Sequence, residues 1–214
     1  MDWTRILDAL DTCPIVPVLS IPEAEQAEPL ARALVAGGII VSEITLRTPA
    51  GLGAIESFKS ACPDMVVGAG TILNSQDLVT AIAAGADFIV SPGFDAPLLS
   101  QLATCPVPVM PGVATPGEAI AARNAGILRV KLFPAGVVGG APMIKALGAP
   151  IQDMGFMPTG GVTLDNLADY LSLPNVYAVG GTWIAKPEHL AAGDWDGIAT
   201  RAADALKAAK AIRP

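Results

Sequence analysis

The chain has 214 residues, enough for one well-buried core and short for two, so a single domain over 1–214 is expected. Apolar residues make up 52 % and charged residues 15 %, a mostly aliphatic mixture that suits an α/β protein with strands covered on both faces. The formal net charge is −7 and Lys and Arg never cluster, which argues against nucleic acid and anionic membranes as partners. A small anionic ligand stays compatible, because steering depends on the local field in a cleft.

The opening Met1-Asp2-Trp3-Thr4-Arg5 lacks the apolar core of a signal peptide. No stretch reaches the roughly 18 uninterrupted apolar residues of a membrane span, so a cytoplasmic location is expected. Cys13, Cys62 and Cys105 each directly precede a proline; an odd, scattered set fits reduced structural thiols. His189 is the only histidine, whereas a zinc site draws on several ligands. It is expected at the surface, and no metal or cofactor is expected.

In chain order, a helix over Trp3–Leu10 precedes the first strand, Ile15–Leu19. Ser20 and Glu23 then have capping-box spacing at a helix start, and the helix ends at Ala36-Gly37. Further strands are expected at Ile39–Leu46, Met65–Thr71, Phe88–Ser91, Pro108–Gly112, Arg129–Phe133, Gly155–Thr159 and Val176–Val179. Pro49 and Pro116 suit first-turn helix positions, and Thr115 with Glu118 repeats the capping box. Gly37, Gly85 and Gly126 are placed to end helices in a left-handed conformation. A last helix runs from about Trp195 to Ala211. Eight alternating β and α units with short loops predict a (β/α)8 TIM barrel with an extra N-terminal helix.

Such a barrel carries its active site at the C-terminal strand ends, so polar residues there are informative. Lys131 lies in Arg129-Val130-Lys131-Leu132-Phe133-Pro134, while the other five lysines fall in helical or connecting segments. Alternation puts Lys131 and Phe133 on one face and Val130 and Leu132 on the other. An inward lysine must be paired or deprotonated, and a deprotonated amine attacks carbonyls; a structural ion pair is the alternative. In Glu43-Ile44-Thr45-Leu46-Arg47 the acid, hydroxyl and guanidinium share a face. Both strands are even-numbered, so Glu43 and Lys131 are expected to meet across the interior, as a catalytic pair or as a salt bridge without chemistry.

Thr159-Gly160-Gly161 ends the seventh strand and Gly180-Gly181-Thr182 the eighth, where barrels bind phosphate with backbone N–H groups. Gly68-Ala69-Gly70-Thr71 and Ser91-Pro92-Gly93 place close backbone approaches or hydroxyls at the same mouth.

Taken in order, Glu43-Ile44-Thr45-Leu46-Arg47-Thr48, Val67-Gly68-Ala69-Gly70-Thr71, Lys131-Leu132-Phe133-Pro134 and Pro158-Thr159-Gly160-Gly161 resemble the 2-keto-3-deoxy-6-phosphogluconate (KDPG) aldolase family, which also acts on 4-hydroxy-2-oxoglutarate. The resemblance implies a class I aldolase with Lys131 as Schiff-base lysine and Glu43 as acid/base. It implies Arg47 and Thr71 at the pyruvate carboxylate, Pro92 and Phe133 lining the pocket, and Thr159 near the C4 hydroxyl. Gly160, Gly161, Gly181 and Thr182 match the phosphate-binding positions; Thr182 stands where the family pattern has serine, and keeps the hydroxyl. The resemblance further implies a cytoplasmic homotrimer in the Entner–Doudoroff route. Competing readings are an aldolase for the 6-phosphogalactonate epimer, a barrel isomerase or synthase in which Lys131 balances charge, and a phosphosugar sensor without chemistry.

Overall fold

The computed structural model describes residues 3–213, so Met1 and Asp2 of the N-terminal segment, and Pro214, lie outside the described residues. Helix α1 (Thr4–Thr12) leads into β1 (Ile15–Leu19), α2 (Ala27–Ala36) and β2 (Val41–Thr45). Next come α3 (Gly51–Ala61), β3 (Val66–Gly70), α4 (Ser75–Ala83), β4 (Phe88–Val90) and α5 (Ala96–Ala103). The short strands β5 (Val109–Met110) and β6 (Gly112–Val113) precede α6 (Pro116–Asn124), β7 (Arg129–Leu132) and α7 (Gly140–Gly148). The chain closes with β8 (Gly155–Pro158), α8 (Leu167–Leu171), β9 (Val179–Gly181), α9 (Pro187–Ala191) and α10 (Trp195–Ile212). Among the described residues no helix is long and apolar enough to cross a membrane.

The result is an α/β fold whose parallel sheet curls around an interior. Its strands run β5-β4-β3-β2-β1-β9 in one sheet and β6-β7-β8 in another. Isolated parallel bridges join Phe156 to Val176 and Thr159 to Gly180.

Alternation divides the apolar residues into two clusters. Ile15, Leu19, Ile44, Val67, Ile89, Val130, Leu132 and Phe156 face outward into the layer between sheet and helices. Val16, Val41, Val66, Phe88, Val90, Met110, Met157 and Ala178 face inward. Ile6, Ala9 and Leu10 of α1 pack onto this inward set near the strand starts, plugging that end of the interior. Phe58, Phe88 and Phe156 are fully buried, and burying one such ring contributes about 1.5–3 kcal/mol.

Several local expectations shift. Pro111 has no N–H for a ladder, so the fifth strand splits into β5 and β6 around it. The eighth begins at Val179, so Gly180 and Gly181 lie inside β9, paired with Val16 and Pro17, and not after it. These glycines leave the space that the Thr159 and Trp183 side chains fill. Ser20 does not cap a helix. The box forms three residues later, where Glu23 precedes the 3-10 turn Ala24–Gln26 and its N donates to Gln26 Oε1 at 3.2 Å, and Ser20 Oγ lies 2.9 Å from Thr45 Oγ1. Thr115 and Glu118 do form their box, with Glu118 N donating to Thr115 Oγ1 at 3.3 Å and Thr115 N to Glu118 Oε2 at 2.9 Å. Pro116 opens α6, whereas Pro49 stops short of α3. Gly85 and Gly126 are left-handed, but after α2 that conformation falls to Gly38, one residue beyond the C-cap Gly37, which instead packs directly on Ala199 and Ala202 of α10.

The three cysteines are free thiols. Burial pushes Cys13 and Cys105 up from the ordinary thiol value, which favours the protonated thiol. His189 is half-buried and not a plain surface residue, its Nδ1 accepting from Lys186 N at 3.2 Å.

A polar staple fixes α1 to the strand starts. Asp87 accepts from Lys59 Nζ at 2.7 Å, from Arg5 Nη1 at 3.0 Å and from Val67 N at 2.8 Å. Asp87→Ala strands these donors and is expected to lower stability by about 1–3 kcal/mol, read as a lower urea midpoint at unchanged m-value. An unchanged midpoint would show that the staple adds nothing.

Candidate active site

Lys131 projects from β7 and Glu43 from β2, and both are buried, at 3 % and 0 % exposure. Lys131 Nζ lies 3.0 Å from Glu43 Oε1 and 3.1 Å from Oε2, so the ammonium is shared almost evenly by the carboxylate. The strand contacts set this height: Lys131 is in register with Gly112 and Met157, and Glu43 with Val18 and Gly68. The expected meeting across the interior therefore occurs. The Phe133 ring centroid is 5.3 Å from Nζ, over the same face.

Thr45, one inward position above Glu43, donates to Leu19 O at 2.8 Å. Its only proton is thereby engaged, so Ser20 is the donor of the Ser20–Thr45 bond, a role its spacing in the sequence did not indicate. Arg47 departs from the alternation argument: β2 ends at Thr45, and Arg47 is exposed in the following turn with no ionic partner among the described residues. Thr71 follows the last residue of β3 with φ +66°, the one non-glycine with positive φ among the described residues. A β-branched residue held there costs about 1–3 kcal/mol, a strain concentrated at functional sites. Pro92 follows β4, its carbonyl oxygen occupying the space where Gly112 lacks a side chain.

Thr159 directly follows β8 at 4 % exposure. Its bridge to Gly180 sets the turn after β8 beside the end of β9. Gly160 and Gly161 have φ of +91° and +81°, a conformation that side chains strain to adopt. Their carbonyls are engaged, Gly160 O by Gly136 N at 2.9 Å and Gly161 O by Asn166 Nδ2 at 2.8 Å. The N–H groups of Gly161 and Thr182 have no backbone acceptor among the described residues, while the Thr159–Gly180 bridge turns the Gly160 N–H toward Gly180 O. Unengaged N–H groups at neighbouring strand ends form a cradle for an anion. Thr182 is exposed there, while Gly181 lies within β9 under the Trp183 ring.

An open cleft lined by Arg129, Lys145, Asp153, Asn175 and Tyr177 lies at the opposite strand ends. Burial raises the Tyr177 phenol above its ordinary value, against the opposing influence of Arg129, so it stays neutral. That cleft contains no buried lysine–acid pair; Lys131 and Glu43 lie away from it, in the interior.

Residues 6–201 match the family model described as KDPG and KHG aldolase. A 2-dehydro-3-deoxy-phosphogluconate aldolase of Pseudoalteromonas atlantica is 42 % identical, covering 96 % of this chain and 95 % of its own. The KHG/KDPG aldolase of Escherichia coli is 41 % identical over 98 % of this chain and 99 % of its own. Among solved structures, the KDPG aldolase of Legionella pneumophila, holding pyruvate as a covalent carbinolamine intermediate, superposes with a TM-score of 0.89 at 39 % identity, covering 92 % of this chain and 96 % of that one.

The buried pair yields a stability test. Lys131→Met or Glu43→Gln alone leaves one buried group without its partner, a change that typically costs about 3–5 kcal/mol. The double variant is expected to lose clearly less than the sum of the two, as measured by urea denaturation. Strictly additive losses would mean that the two groups do not support each other.

Proposed function

Because the chain belongs to the KDPG and KHG aldolase family, we propose that it is a class I aldolase. It cleaves 2-keto-3-deoxy-6-phosphogluconate to pyruvate and glyceraldehyde 3-phosphate and also acts on 4-hydroxy-2-oxoglutarate. The observation that carries this reading is a lysine buried in the curled sheet with its Nζ 3.0 Å from a buried carboxylate.

The pair accounts for the proton traffic. Lys131 passes a proton to Glu43 and its free amine attacks the C2 ketone, forming a carbinolamine. Glu43 returns the proton to the departing hydroxyl, water leaves, and an iminium remains. A base takes the C4 hydroxyl proton as the C3–C4 bond breaks, and that bond's electron pair flows into the iminium, giving an enamine. Glyceraldehyde 3-phosphate departs. The enamine carbon is protonated, and hydrolysis of the iminium releases pyruvate and restores Lys131. The iminium is the electron sink of this sequence.

In this reading Arg47 and Thr71 hold the pyruvate carboxylate, Pro92 and Phe133 line the pocket, and Thr159 meets the C4 hydroxyl. Gly160, Gly161, Gly181 and Thr182 take the phosphate, with support from the unengaged N–H groups of Gly161 and Thr182. The two sheets form a single (β/α)8 barrel and one domain over 1–214. Supporting this closure, the 109–113 segment contributes to both sheets and the Thr159–Gly180 bridge spans the other seam. Free, scattered thiols fit a cytoplasmic enzyme, placed in the Entner–Doudoroff route as a homotrimer; light scattering at the mass of three chains tests the last point.

Borohydride with pyruvate is expected to add covalent mass at Lys131, and Lys131→Met to abolish both trapping and cleavage; trapping on another lysine would overturn the assignment. Cleavage should also survive exhaustive chelation, and a loss that a divalent metal restores would sink the Schiff-base reading. Gly161→Asp places a side chain on a strained φ and a charge beside the phosphate. It should weaken the phosphorylated substrate far more than 4-hydroxy-2-oxoglutarate, whereas equal loss for both would move the phosphate elsewhere.

A further inference from the structure

We propose that Gly70 is a positioning residue for Glu43: the side chain it lacks leaves the space in which the carboxylate lies against Lys131. The proposal rests on the reading of Glu43 as proton carrier and names what holds it in place. Glu43 is in register with Gly68 on β3, and Thr45 with Gly70. With Val66 pointing inward, alternation points the Cα–H of Gly68 and Gly70 inward as well. A Cβ on Gly68 would overlap the Phe88 ring, so that ring fills the space directly opposite the Glu43 backbone. A Cβ on Gly70 would overlap Glu43 Oε1 and stand 2.7 Å from both Cδ and Cγ.

The acid therefore leans one register step toward the C-terminal strand ends, over Phe88 and across the bare backbone of Gly70. Its contact with Lys131 Nζ, at 3.0 and 3.1 Å, is made from that position. Gly70 is not among the residues of positive φ, so alanine fits its backbone and the obstacle is Glu43 itself. The three atoms nearest to the missing Cβ all belong to that one side chain. Gly180 stands in the same relation to Thr159, whose Oγ1 and methyl occupy the space of its absent Cβ.

The test is a double-mutant cycle read in rate and in exchange of pyruvate methyl protons with solvent. Displacing a reacting group by about 1 Å costs on the order of 10²-fold, so Gly70→Ala should slow cleavage and exchange by about that factor while pyruvate still traps on Lys131. Glu43→Gln alone should slow both by about 10²–10⁴-fold; full rate there would overturn the proton-carrier reading itself. Added to Glu43→Gln, Gly70→Ala should cost less than about threefold, since the displaced amide carries no proton. Equal losses from Gly70→Ala with Glu43 intact and with Glu43→Gln already in place would overturn the proposal. So would normal exchange in Gly70→Ala. Should Gly70→Ala fail to fold, adding Gly70→Ala to Glu43→Ala should cost no further stability beyond that of Glu43→Ala itself, because the three nearest overlapping atoms are then gone; a further loss as large as that of Gly70→Ala alone would also overturn it.

Discussion

A carboxylate and an ammonium taken out of water are tolerated only when each satisfies the other, and the Glu43–Lys131 pair is the point around which this fold is arranged. The partners are 88 positions apart in sequence, so nothing local brings them together. Their meeting needs a parallel sheet curled far enough for β2 and β7 to face each other across an interior. It needs an apolar floor of Val16, Val41, Val66, Phe88, Met110 and Met157, and a helix, α1, set against that floor from outside. It also needs inward positions left empty, as at Gly68 and Gly70. A bulkier neighbour would not let the acid lie flat.

The same layering separates stability from chemistry along each strand. On β2, Val41 belongs to the floor, Glu43 to the pair, and Thr45 to a hydroxyl chain running from Ser20 to Leu19 O. On β8, Met157 lies in the floor, and Thr159 stands two residues later at the seam with β9. Polarity rises toward the C-terminal strand ends because there the backbone leaves its ladder and its N–H groups become available. The strained φ of Thr71 sits at this boundary, where β3 gives way to its loop.

Much of this was legible in the sequence where one residue's chemistry clashes with its pattern. Lys131 between Val130 and Leu132, and Glu43 between Ser42 and Ile44, announce inward polar groups because alternation leaves them nowhere else to point. The Thr115–Glu118 cap was legible because its residues are adjacent and its chemistry is local. What was not legible depends on distant neighbours. Ser20 has the spacing of a cap, but Thr45 on the next strand claims its hydroxyl. Gly37 does end α2 as expected, but the left-handed turn falls to Gly38, and Gly37 itself must be small because α10 crosses it. Gly180 and Gly181 read as a turn and are strand residues whose missing side chains make room for Thr159 and Trp183. Arg47 lies two residues past Thr45, where strand geometry ends, so alternation does not carry to it. A glycine in a sequence signals space or conformation without saying which, and only the packing tells them apart.

Helix α1 has a consequence for traffic. With Ile6, Ala9 and Leu10 seated on the inward cluster at the strand starts, the interior is a blind-ended well rather than a tunnel. Whatever is bound deepest must be the first in and the last out. In the reading proposed above, with the substrate tethered through Lys131 and its phosphate at the rim, the order of departure follows from the shape of the vessel: the outer fragment has to clear before the inner one can move. The reverse reaction must then load pyruvate first.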